Sequence, residues 1–69
     1  MQLSARNQFR GTVKTIKLGN VMAEVVVDIG GGHEVVSAIT RGSAEHLGLT
    51  PGSVVTVVVK ATEVILAKD

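Results

Sequence analysis

Six residues of this 69-residue chain form a set of hydrogen-bond donors with no acid among them: Ser4, Arg6, Asn7, Thr40, Ser43 and Lys60. Taken singly, each has an ordinary explanation. Lys60 is a strand-end lysine that snorkels to water, Arg6 is a solvated charge, and Thr40 and Ser43 are helix caps. Taken together they describe a receptor for an anion. Two cations neutralise a dianion, and hydroxyls, an amide and the free N–H groups at a helix start saturate its oxygens with charge-assisted bonds. A tetrahedral oxyanion, with many lone pairs and no proton to give, suits such a set. No nucleophile stands next to a base, and neither His33 nor His46 belongs to a recognisable catalytic motif, so the chemistry is binding and the chain is not expected to be an enzyme.

These residues must be held by strands. From Gln8 to Leu18 the apolar positions run Phe9, Val13, Ile16, Leu18. The switch from odd to even numbers requires a bulge or bend between Val13 and Ile16. Gly11, without a side chain, marks a place where a curled first strand meets another backbone. Gly19-Asn20 predicts a tight turn with positive-φ residues, leading into a strand over Val21–Ile29. Gly30-Gly31-Gly32 predicts a wide flexible hairpin loop before His33–Thr40; a phosphate loop would need a helix after it, and a strand follows. Between Thr40 and Leu47 the pattern is helical, with Thr40 or Ser43 as cap and Gly48 as terminator. Pro51-Gly52 turns the chain, Ser53–Ala61 is a strand, and Glu63–Ala67 is a last short one. The predicted fold is all-β, an OB-like five-stranded antiparallel barrel with one short helix between strands 3 and 4, spanning 1–69 as one domain.

Composition limits the partners. The chain has no cysteine, so disulfides and thiolate metal sites are excluded, and two isolated histidines make no zinc set. One Phe, no Tyr or Trp and a net charge of +1 argue against an OB-type nucleic-acid surface, which stacks bases on aromatics in a basic groove. No apolar run spans a membrane and no signal pattern opens the chain, so a cytoplasmic location is expected. A chain this short buries little surface alone. Both faces of Ser53–Lys60 are apolar, and Val21–Ile29 is similar, which implies that another copy covers the outer face.

SARNQ (Ser4–Gln8), AEVVVDIGGG, SAIT-x-x-S-x-x-x-LGL-x-x-G and VVVKATEVI together resemble the molbindins, the Mop family of small molybdate-binding proteins, over essentially the whole chain. The resemblance implies a homo-hexamer, a trimer of dimers, that binds molybdate or tungstate at subunit interfaces for intracellular molybdenum storage or homeostasis, without an organic cofactor. It implies an oxyanion site made by Ser4, the backbone around Ala5, Arg6 and Lys60 of one subunit, with Thr40, its adjacent backbone and Ser43 from a neighbour. For secondary contacts the candidates are Asn7, Ile39 and, in the Gly30–His33 turn, Gly31, Gly32 and His33. Gly42, inside ITRGS, departs from what a tight first helical turn prefers: it admits close approach and loosens the turn.

Overall fold

The computed structural model describes residues 1–69. Four strands, β1 (Asn7–Leu18), β2 (Met22–Gly30), β3 (His33–Thr40) and β4 (Val54–Val59), form one antiparallel sheet in the order β3-β2-β1-β4. One helix, α1 (Arg41–His46), lies between β3 and β4. β1 serves both neighbours: its first half pairs with β4 and its second with β2.

The parity switch in β1 is a bulge. Val13 pairs with Val27 and Thr15 with Val26, which leaves Lys14 without a partner in the ladder. Val13 before the bulge is buried and Ile16 after it packs on the same core, so the extra residue keeps both halves of a bent strand facing inward. The bulged Lys14 reaches across to Glu34 on β3, and that carboxylate raises the ammonium's pKa through a hydrogen bond and charge attraction. Gly11 is the second device. A Cβ there would lie 2.6 Å from the Asp28 carbonyl oxygen and 2.7 Å from Val27 Cγ1, so β1 crosses β2 at a distance only glycine permits.

The turns differ from expectation. Gly19-Asn20 makes a hairpin closed by Gly19 N–H donating to Met22 O at 2.7 Å, but with negative φ throughout; the turn extends through Val21 and needs no left-handed residue. The triple glycine is no wide loop. Gly30 pairs with His33, and Gly31 and Gly32 sit at φ 63° and 79°, the two positive values that a primed two-residue hairpin turn requires. Gly30 N–H donates to Asp28 Oδ1 at 2.8 Å and fixes the strand end.

The barrel does not close. The expected strand over Glu63–Ala67 is absent: Ala61–Glu63 is a 3-10 turn, and the chain beyond it has no regular structure. The turn carries this segment off β4, and without a neighbour to pair with a strand leaves its own N–H and C=O groups unmet. Ile65 and Leu66 are 92% and 88% exposed. The inner face also stays open near the start of β1. Phe9 shares the inward parity of Gly11 and Val13, yet is 44% exposed. An apolar groove lined by Ile39, Val55 and Val57 separates β3 from β4, the two sheet edges. Only five residues, Val13, Ala23, Val25, Val27 and Ala44, are buried.

Candidate anion-binding site

The structure splits the donor set into two halves and explains each. In the first, Asn7 pairs with Val59 as the terminal pair of the β1–β4 ladder, so Arg6 and Lys60, one step beyond each partner, leave the sheet as neighbours. Lys60, expected near the end of the Ser53–Ala61 strand, lies just past β4 at the N-cap position of the 3-10 turn, where its carbonyl accepts the Glu63 amide and its side chain makes no capping bond. The chain's two ion pairs are Lys14–Glu34 and Arg41–Glu45, and neither involves Arg6 or Lys60. Both cations are exposed and uncommitted. The SARNQ run has an internal brace: Gln8 Nε2 donates to Ala5 O at 2.6 Å, which holds the Ser4–Arg6 bend against the strand. Gln8 is thus a structural donor; Ser4 makes no intrachain side-chain bond of this kind. Asn7 is half-buried in the ladder.

The second half is the β3–α1 junction. Thr40 ends β3 opposite Met22 and is the helix N-cap. Its Oγ1 accepts the Ser43 amide at 3.0 Å and donates to Ser43 Oγ at 2.7 Å. The Thr40 proton is therefore committed, while the Ser43 hydroxyl proton is free to point outward. Arg41 N–H donates to Val21 O at 2.7 Å, so two of the three leading amides of α1 are used within the chain. The Gly42 amide between them makes no capping bond, and the space where its Cβ would stand is empty. With six residues α1 carries a small dipole, so the anion affinity expected of a helix start reduces here to this amide and the Ser43 hydroxyl. Ile39, beside Thr40, points to the core instead.

The two halves are not brought together. Arg6 and Lys60 lie at the start of β1, whereas Thr40 lies two strands over from its other end, where Leu18 pairs with Ala23 and Ala23 with Ile39. The 12 residues of β1 trace roughly 40 Å of contour along a bent strand, in a molecule whose longest extent is 37 Å, so the two halves lie near opposite ends of that strand. Gly31, Gly32 and His33 occupy a third place, the tip of the β2–β3 hairpin, with His33 exposed. Nor is a cation site present: no group of three or more His, Asp or Glu side chains converges. Sequence reasoning missed Arg41, whose guanidinium bridges Glu45 and the β1–β2 turn; its i,i+4 spacing to Glu45 was the available signal.

Comparison with known proteins gives this arrangement its context. The TOBE domain model matches residues 3–66. Molybdenum-pterin-binding protein 2 of Clostridium pasteurianum is 47% identical over 66 residues, covering 96% of this chain and 97% of that protein. The chain belongs to the TOBE-domain family of Mop molybdenum-pterin-binding proteins. Among solved structures of this Mop family, a molybdate-binding protein from Sporomusa ovata superposes with a TM-score of 0.92 at 48% identity, covering 99% of this chain and 100% of that one. The cytoplasmic molybdate-binding protein ModG, solved with molybdate bound, superposes with a TM-score of 0.84 at 48% identity, over 88% of this chain and 43% of ModG. Mop relatives are therefore binding proteins with the same fold. No helix of this chain is long and apolar enough to cross a membrane.

Proposed function

We propose that this chain binds molybdate, and tungstate about equally well, at the interfaces of a cytoplasmic homo-oligomer that stores and buffers molybdenum, and that it is not an enzyme. The observation that carries the reading is the near-full-length likeness, at almost half identity, to a molybdenum-pterin-binding protein and to a solved molybdate-binding protein. In that assembly Ser4, Ala5, Arg6 and Lys60 of one copy face Thr40 and Ser43 of another. The separation of the two halves along β1 supports this, because one chain cannot supply both to one ion.

The surface supports an oligomer as well. The chain exposes 5599 Å², whereas a compact monomer of its mass exposes about 4,100 Å². The difference, roughly 1,500 Å², exceeds the ~800 Å² per partner of a standard interface and suits a subunit with more than one neighbour, as in a trimer of dimers. Its radius of gyration, 12.8 Å, likewise exceeds the ~11 Å of a compact chain of this length. Val36 and Val54, at 63% and 61% exposed, and the Val64–Leu66 tail are the apolar groups a neighbour would cover.

The mechanism is reversible capture. Assembly creates a desolvated seam in which two cations neutralise the dianion, and ligand in turn favours assembly by mass action. Sulfate carries the same charge, so selectivity rests on size: a cavity set for the larger ion holds the smaller at longer, weaker hydrogen bonds. Phosphate, partly protonated, sets a donor against donors. The free oxyanion suits the chain better than a pterin, since Phe9 is the only Phe, Tyr or Trp in the sequence and a flat heterocycle is held by stacking. Equilibrium dialysis with molybdate against excess sulfate tests the proposal. Selective uptake is expected; uptake of neither ion, or of both equally, contradicts it.

A further inference from the structure

Resting on the reading above, we propose that Arg41 is a positioning residue for the Thr40–Ser43 half of the anion site: it clamps the first turn of α1 to the β1–β2 turn. Three bonds converge on it. Its amide donates to Val21 O at 2.7 Å, its Nη1 donates to Gly19 O at 3.3 Å, and its Nε donates to Glu45 Oε1 at 2.8 Å. The residue next to Thr40 is thereby tied to both ends of the Gly19–Val21 turn and to the last turn of its own helix. That anchor is itself closed by the Gly19 N–H to Met22 O bond.

The helix needs such a clamp. A six-residue helix is unstable by itself, and α1 buries only Ala44. Gly42, directly after Arg41, adds backbone freedom at the point where Ser43 must be aimed. Packing alone thus holds the β3–α1 junction by one buried residue, and the Arg41 bonds add a second anchor. The charge arrangement fits the same role. Glu45 is the one acid of α1, and the Arg41 guanidinium sits on it, so a dianion at Ser43 does not face a bare carboxylate. The same pairing turns the Arg41 charge away from the ligand. Arginine suits the task because its rigid fork sends separate N–H groups to a carbonyl and a carboxylate, whereas the three donors of a lysine ammonium radiate from one compact nitrogen and lack that spread.

The test uses the intact protein and two readouts. In ligand-free protein, amide hydrogen exchange at Ser43, whose N–H is held by Thr40 Oγ1, should quicken about tenfold in Arg41→Ala and less in Arg41→Lys, with Val25 and Val27 amides unchanged. In calorimetric titration with sodium molybdate, Arg41→Ala and Arg41→Lys should both weaken binding by about five- to tenfold, and Glu45→Gln by less than twofold. Were Arg41 instead a simple charge for the anion, Arg41→Lys would keep wild-type affinity and Glu45→Gln would tighten it; that pattern overturns the proposal. Unchanged Ser43 exchange in Arg41→Ala also overturns it. If the wild type takes up no molybdate, the proposed function fails, while Ser43 exchange still decides the clamp.

Discussion

Asn7 and Val59 form the last pair of the β1–β4 ladder, and through that pairing two cations 54 positions apart in sequence, Arg6 and Lys60, emerge from the sheet together. Neither has an acidic partner in its own chain. Residues placed as neighbours by the strand register can both reach one anion, and two cations neutralise a dianion. Arg6→Ala and Lys60→Ala should each weaken molybdate binding by about 2–5 kcal/mol at a desolvated interface. Because both act on one ion, the double variant should lose less than the sum. Calorimetric titration of the three variants measures both quantities; unchanged affinity in the single variants removes these residues from the site.

The two hydroxyls at the β3–α1 junction should behave differently. Thr40 caps the helix with a committed proton, so Thr40→Ala should cost about 1 kcal/mol of stability, the usual value of a lost cap. Ser43 Oγ keeps a free proton, so Ser43→Ala should cost little stability but about 1–2 kcal/mol of molybdate affinity, as deletion of a neutral donor does. Denaturant unfolding and calorimetry on the same preparations separate the two effects, and equal stability losses would contradict the assigned bond directions.

Gly11 and Gly42 make a matched pair of glycine tests. Gly11→Ala places a Cβ 2.6 Å from a backbone oxygen that cannot rotate away, and should destabilise by about 1–3 kcal/mol or more. Gly42→Ala meets nothing within 4 Å and lies at an ordinary φ. It should stabilise the helix start by about 0.5–1 kcal/mol, through the unfolded chain. If Gly42→Ala also lowers molybdate affinity, the empty space beside its amide is where the ion or the neighbouring subunit approaches. Thermal unfolding with and without molybdate measures both.

The legibility of this fold follows from where its constraints act. The bulge was readable because burial imposes a parity on β1, and the jump from Val13 to Ile16 violates it unless a residue is extruded; the residue extruded is Lys14. Gly11 was readable because a glycine inside a strand pattern, without a side chain, signals close approach of another backbone. The Thr40 cap was readable from local chemistry. The expectation of a fifth strand rests on the strand-like residues of Glu63–Ala67, but the 3-10 turn at Ala61–Glu63 carries this segment off β4 and it pairs with neither sheet edge. The glycine turn was misread as loose because three glycines permit flexibility, while the register Gly30–His33 imposes a tight turn on them. Within the site, the list of donors was readable by type. Which of them stand together was not, since the Arg6–Lys60 adjacency arises from the register of two strands distant in sequence.

The central claim is that each oxyanion is held by two chains, one giving Arg6 and Lys60 and the other Ser43, which the Thr40 cap positions. Subunit complementation tests it most directly. One variant carries Arg6→Ala and Lys60→Ala, a second carries Thr40→Ala and Ser43→Ala, and the two are co-refolded in equal amounts before molybdate titration. Random assembly should restore about a quarter of the wild-type sites, since each intact site needs one unaltered half from each of two symmetry-related neighbours. Recovery of no sites in the mixed oligomer, with each variant silent alone, would show that a single chain supplies the whole set.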